Sequence, residues 1–255
     1  MSSLIKSPKA IQKMRIAGRL AAQVLEMIAP HVKPGITTQA LNDLCHNYIV
    51  EHQKAIPACL NYHGFPKSIC TSVNHQVCHG IPSDRVLQSG DIINIDLTIL
   101  KEGYHGDTSQ MFIVGQGSIL AKRLIKVTQA CLYRAIRLVK PGVQLGTIGS
   151  VIQEYAESEG FSVVRDYCGH GIGEALHEEP SVLHFGRPNT GLTLQAGMIF
   201  TIEPMLNAGK AAVKCLADGW TVVTRDHSLS AQWEHTLLIT EEGVDVLTQR
   251  KNEII

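Results

Sequence analysis

Residues 87–97 read LQSGDIINIDL, and residues 194–204 read LQAGMIFTIEP. Leu, Gln, Gly and two Ile recur in register, and Asp96 of the first stretch aligns with Glu203 of the second. An ionised carboxylate at the end of an apolar strand is costly unless it is paired or bound to a cation. Delivering one at the same place twice suits two carboxylates that converge on a shared cation. A second match supports the duplication: Lys33-Pro34-Gly35-Ile36 returns as Lys140-Pro141-Gly142-Val143. Both matches have an offset of 107 residues (140 − 33 and 197 − 90). The pattern is a doubled half-domain rather than a solenoid repeat. It predicts one domain over residues 1–255, with halves at about 8–115 and 118–247 meeting near Gly115-Gln116-Gly117.

Each half reads as two helices followed by strands. Ser7-Pro8 is a helix-start signal, and Ile11, Met14, Gly18, Ala21, Leu25 and Ile28 follow helical spacing up to Pro30. Thr37 or Thr38 can cap a second helix with Leu41, Leu44, Cys45, Tyr48 and Ile49 inward. In the second half, Leu124, Val127, Cys131, Ala135 and Leu138 form one helix, and Ile148, Val151, Ile152 and Tyr155 the next. Strand signals cover 92–97, 108–114, 162–165, 198–203, 220–224 and 233–239, with a hairpin connection at 101–106. The expected class is α+β with a mostly antiparallel sheet.

Composition narrows the function. The chain has 255 residues, 44% of them hydrophobic, enough for a sizeable core. Lys+Arg and Asp+Glu each total 23, which argues against general binding to nucleic acid or to an anionic membrane. No apolar run approaches the roughly 20 residues of a membrane span, and MSSLIKSPKA lacks the apolar stretch of a secretory signal. The seven Cys include no C-x-x-C pair and form neither a disulfide framework nor a zinc ribbon. A reducing, cytoplasmic setting fits these features.

Strand alternation places Asn94 and Asp96 on one face and Ile93, Ile95 and Leu97 on the other. Thr201 and Glu203 share a face in the same way. Asp107 follows Gly106, His170 lies in CGHGIG, and Glu234 reads as a mid-strand residue between apolar residues in QWEHTLL. Four carboxylates and one imidazole, without thiolate, exceed what a lone tetrahedral zinc takes. They suit a pair of divalent first-row ions bridged by shared carboxylates. His79 in CHGIP and His177 in EALHEEP occupy loops, where His is the natural proton donor or acceptor at neutral pH. Cys78 has no specific activating neighbour and is not read as a nucleophile.

With these residues in place, the sequence resembles the type I methionine aminopeptidases in their short bacterial form, from the first helix to about Val246. The ordered set Asp96, Asp107, His170, Glu203 and Glu234 is similar to that family's metal ligands, and His79 and His177 to its two catalytic His. The resemblance implies a pita-bread fold, two pseudo-symmetric α/β halves with the site between them. It also implies roles. Asp107 and Glu234 bridge two ions, Asp96 holds one, and His170 and Glu203 hold the other. Water activated by the pair attacks the first peptide carbonyl, and Glu203 takes and passes on the proton. His177 steadies the carbonyl oxygen, and His79 contacts the scissile amide nitrogen.

The implied methionine pocket comprises Cys59, Tyr62, Phe65, Cys70, Leu176 and Trp220, with His63, His79 and His177 beside it. Phe65 and Leu176 depart from the Tyr and Phe common in the family, yet both keep the wall apolar, and soft Cys and aromatic walls suit a thioether. The resemblance further implies Co, Mn, Fe or Zn as the ions, and a monovalent cation near Asn74 and Ser230. The substrate would be the N-terminal Met of nascent chains whose second residue is small. The enzyme would be a monomer, with transient ribosome contact for which the Lys9–Arg19 face is a candidate. The nearest rival, the proline-specific aminopeptidases, shares the fold but usually carries an extra N-terminal domain.

Overall fold

A computed structural model describes residues 4–255. Helix α1 (Pro8–Ile28) starts where Ser7 Oγ accepts the Ala10 N–H at 3.2 Å. Helix α2 (Thr38–Asn47) is capped by Thr37 Oγ1, which accepts the Ala40 N–H at 3.0 Å. A π-helical turn, Tyr48–His52, follows and buries Ile49. Short strands β1 (Ile56–Pro57), β2 (Cys70–Val73) and β3 (Gln76–Cys78) precede the long hairpin of β4 (Ile92–Lys101) and β5 (Tyr104–Ile113). The hairpin loop is tighter than the expected 101–106 connection: Glu102 and Gly103 turn the chain, both at positive φ.

The second half opens with α3 (Ile119–Ile136) and α4 (Leu145–Ser158). Helix α3 begins one residue after its cap, Ser118, a turn earlier than the apolar spacing alone indicates. Then come β6 (Ser162–Val163), β7 (Gly169–Gly171), β8 (Glu178–Val182), β9 (Ile199–Ile202), β10 (Met205–Asn207), β11 (Val213–Cys215), β12 (Val222–Thr224), β13 (Ser230–Gln232), β14 (Glu234–Ile239) and β15 (Val244–Val246). The main sheet runs β1-β4-β5-β14-β9-β7-β8, with β2 on β4 and β15 on β14, and its ladders are antiparallel.

The repeat is visible in the backbone. Gly35 N–H donates to the Leu87 carbonyl at 2.8 Å, and Gly142 N–H to the Leu194 carbonyl at 2.9 Å. Leu87 N–H returns to Ile36 and Leu194 N–H to Val143, both at 2.8 Å. The single bridges Thr37–Val86 and Gln144–Thr193 repeat the same geometry (144 − 37 and 193 − 86 both give 107). Each Lys-Pro-Gly turn thus pins the start of the second helix of its half to the Leu that opens the doubled strand motif.

Helices cover one face of the sheet. Leu25, Leu41 and Cys45 pack with Ile93, Ile95, Leu97 and Ile99 in the first half. Leu124, Cys131, Ile148 and Ile152 pack with Phe200, Ile202 and Leu237 in the second. Strand alternation therefore turns Asp96, Thr201 and Glu203 to the other face. Helix α1 reaches the sheet closely at glycine: a Cβ on Gly106 would lie 2.4 Å from the Gly18 nitrogen.

Candidate active site

Five strands bring the acids and His170 together. Asp96 lies on β4 opposite Cys70 and Ser109, and Asp107 lies on β5 opposite Thr98. Glu234 is the first residue of β14, opposite Ser109, rather than a mid-strand residue. His170 is the central residue of β7, where the register with β8 shifts, and Glu203 stands just past the end of β9. Ligand atoms of Asp107, His170 and Glu234 all lie within 4.8 Å of one another. His170 Nε2 is 3.7 Å from Asp107 Oδ2 and 3.6 Å from Glu203 Oε1.

The electrostatics of this cluster call for a cation. His170 Nδ1 is 2.9 Å from the Gly171 carbonyl, an acceptor only, so this nitrogen carries the proton. Burial, then the neighbouring His177, push His170 down to about 3, so its imidazole is neutral. Its Nε2 lone pair therefore faces the Asp107 and Glu203 carboxyl groups, the arrangement of a metal-ligating His whose other nitrogen is bonded to the backbone. Burial lifts Asp96 to about 7 and Glu203 to about 8, the Asp96 charge adding to the latter. Asp107 and Glu234 are also pushed well up, through burial first and then repulsion from a neighbouring acid, Asp96 beside Asp107 and Asp107 beside Glu234. Asp107 Oδ1 is buried and has no hydrogen-bond partner. A neutral imidazole, an orphaned oxygen and four crowded carboxylates fit a divalent pair bound through oxygen and nitrogen.

Side chains from other elements aim the cluster. Thr201 Oγ1 donates to Glu203 Oε1 at 2.8 Å, and Gln232 Nε2 donates to Glu203 Oε2 at 3.2 Å. Asp107 N–H donates to Thr236 Oγ1 at 3.1 Å. Thr98, Gln232 and Thr236 escape sequence reading because isolated Thr and Gln carry no chemical signature. The two-residue spacing of Thr98 from Asp96 is the one sequence signal for its place on the same face.

Beside the cluster, a cavity of about 90 Å³ is lined by Cys59, Tyr62, Phe65, Cys70, His79, Asp96, Thr98, Asp107, Leu176, His177 and Trp220. The Phe65 and Trp220 rings meet edge-on with centroids 5.2 Å apart. Trp220 belongs to the turn before β12, not to a strand. His63 is exposed and not among the lining residues; it packs against Tyr62 from outside, centroids 4.4 Å apart. His177 Nδ1 is 2.6 Å from the Tyr62 hydroxyl, and its ring meets that of His170 edge-on at 4.3 Å. His79 follows β3 at φ 55°, and burial, then His177, push it down to about 4. Burial pushes the adjacent Cys78 thiol up, which makes it a poor nucleophile. A second, open cavity of about 580 Å³ continues from His79, His170, His177 and Glu203 past Tyr167 and Cys168.

Away from this centre, Ser230 N–H donates to the Asn74 carbonyl at 2.8 Å, so Asn74 and Ser230 are adjacent. On the α1 face, Arg15 pairs with Asp245, while Lys13 and Arg19 bond the carbonyls of Glu102 and Gln249.

The sequence profile of metallopeptidase family M24 matches residues 12–241. The methionine aminopeptidase of Salmonella typhimurium is 59% identical, over 100% of this chain and 97% of its own. The crystal structure of methionine aminopeptidase from Rickettsia prowazekii superposes with a TM-score of 0.94 at 56% identity, covering 96% of this chain and 99% of that one. The prolidase from Pyrococcus horikoshii, at 22% identity, shares the fold alone, with a TM-score of 0.78 over 99% of this chain and 65% of its own. The pita-bread architecture expected from the resemblance is the one these structures share. No helix among the described residues is long and apolar enough to cross a membrane. On the profile match and the full-length likeness, the chain belongs to metallopeptidase family M24.

Proposed function

We propose that this chain is a methionine aminopeptidase that removes an initiator Met when the second residue is small. The observation that carries the reading is the bare His170 Nε2 among buried carboxylates, beside an apolar cavity walled by Cys59, Phe65, Cys70 and Trp220. Asp96, Asp107, His170, Glu203 and Glu234 would hold two divalent ions, drawn from Co, Mn, Fe or Zn. When bound, such ions act as Lewis acids and bring the pKa of a water toward neutrality.

The chain's own residues then divide the work. The cavity takes the Met side chain, its sulfur against the Cys and aromatic walls. Glu203, held on one oxygen by Thr201 and on the other by Gln232, would take a proton from the attacking water and return it to the leaving amine. The Tyr62 hydroxyl lies 2.6 Å from His177 Nδ1; with the hydroxyl as donor there, the His177 Nε2–H is free to donate to the carbonyl oxygen as charge develops. His79, neutral at the cavity rim, contacts the scissile amide nitrogen. We place the enzyme in the cytoplasm as a monomer with two pseudo-symmetric halves. Transient ribosome contact through the Lys9–Arg19 face and a monovalent cation near Asn74 and Ser230 complete the proposal.

The test is substrate choice. Met-Gly-Met should be cleaved at its first bond, with Ala-Pro peptides left intact. Preferential cleavage of Ala-Pro peptides would assign the chain to the proline-specific branch of the fold. No cleavage of either under Co²⁺ or Mn²⁺ would make it a non-catalytic binding protein.

A further inference from the structure

We infer that His184 is a positioning residue for Glu203, acting through the backbone as a neutral hydrogen-bond acceptor. The inference deepens the reading above and rests on it.

Glu203 needs such a device because of where it stands. The last paired residue of β9 is Ile202, opposite His235, so the Glu203 N–H has no ladder carbonyl to meet. A buried N–H without a partner is costly. Here it donates to His184 Nε2 at 3.1 Å. His184 comes from the segment after β8, two residues past Val182, and is fully buried. On its carboxyl side Glu203 precedes Pro204, which confines its backbone to extended conformations. The residue is therefore gripped at both ends, by an imidazole before and a proline ring after. Its carboxylate is left to Thr201 and Gln232, one on each oxygen.

The chemistry of His184 separates this role from plain core filling. To accept a hydrogen bond at Nε2, the neutral ring must carry its proton on Nδ1. That Nδ1 is buried and has no hydrogen-bond partner. An apolar side chain of similar volume would avoid this unpaired donor, so the site tolerates a local cost to keep an acceptor under Glu203. Outer groups that aim a metal ligand typically affect metal affinity or turnover by about 10- to 100-fold.

Three substitutions separate the possibilities. In His184→Gln the amide oxygen reaches where Nε2 stands; in His184→Asn it reaches only the Nδ1 position; His184→Leu offers no acceptor. Mn²⁺ affinity of chelator-stripped protein would be read by calorimetry, and Met-Gly-Met kinetics with Mn²⁺ in excess. We expect His184→Leu and His184→Asn to weaken Mn²⁺ binding about tenfold and to lower kcat, with KM nearly unchanged. His184→Gln should recover most of both. Wild-type Mn²⁺ affinity in His184→Leu, or a defect in His184→Gln as large as in His184→Leu, would overturn the inference. Should one variant fail to fold, the comparison of the other two with wild type decides. If wild-type protein binds Mn²⁺ yet does not cleave Met-Gly-Met, the assigned reaction fails, and His184 is judged on Mn²⁺ affinity alone.

Discussion

The Thr201 hydroxyl ties Glu203 and His170 into one unit: it donates to Glu203 Oε1 at 2.8 Å while accepting the His170 N–H at 3.0 Å. The strand face predicted from alternation thus carries an alignment device as well as a carboxylate. Thr201→Val keeps the shape and removes both bonds. It should lower kcat for Met-Gly-Met about tenfold and cost about 1 kcal/mol of stability, because the half-buried His170 N–H loses its partner. Thr201→Ser should recover most of both. Steady-state kinetics and urea unfolding read the two effects separately.

Phe65 and Trp220 close the apolar cavity with an edge-on ring contact at 5.2 Å. Phe65→Ala should open this wall and lower kcat/KM for Met-Gly-Met by about 1–3 kcal/mol, the range by which pocket contacts discriminate substrates. The loss should appear mainly in KM, since Phe65 is an apolar wall residue rather than one of the acids. Peptides with a larger apolar first residue should lose less, or gain. A series with Met, norleucine and Phe at the first position would measure the shift.

Much of this architecture was legible in residues 87–97 and 194–204 because both are long and strictly patterned. Their apolar residues alternate against polar ones, so face and register follow from the period of a strand. The caps Ser7 and Thr37 were legible for the same local reason. Strands β2 and β13 were not, being three or four residues long and buried throughout; such segments become strands only because β4 and β10 supply partners. At the site, acids and His announce themselves chemically, whereas His184, Gln232 and Thr98 acquire their roles through folding. His63 shows the converse: close in sequence to Tyr62 and Phe65, it takes φ 46° and packs outside the cavity.

A second buried charge cluster sets acid stability. Burial alone would raise the Glu253 carboxyl, but bonds from His235, Arg250 and Tyr133 hold it well below the usual carboxylate range. Arg250 Nη2 lies 2.5 Å and His235 Nε2 3.2 Å from Glu253 Oε1. A carboxyl with a lowered folded pKa contributes stability above its unfolded value near ~4.3, and this is lost as pH falls through the folded value. Glu253→Gln should cost about 3 kcal/mol at pH 7, the lower end for breaking a buried pair. Its unfolding free energy should approach that of wild type as pH drops below about 4. Urea titrations from pH 7 to pH 3 test the convergence; a constant gap would argue against it.

The central claim is that Asp96, Asp107, His170, Glu203 and Glu234 hold divalent ions on which peptide hydrolysis depends. The most direct measurement strips the protein with chelator, then adds back Mn²⁺ or Co²⁺ while bound metal per chain and Met-Gly-Met cleavage are followed together. The account predicts no cleavage without metal and recovery in step with occupancy, with Glu203→Gln folded but inactive at every metal concentration. Full cleavage by metal-free protein, or by Glu203→Gln, would contradict it.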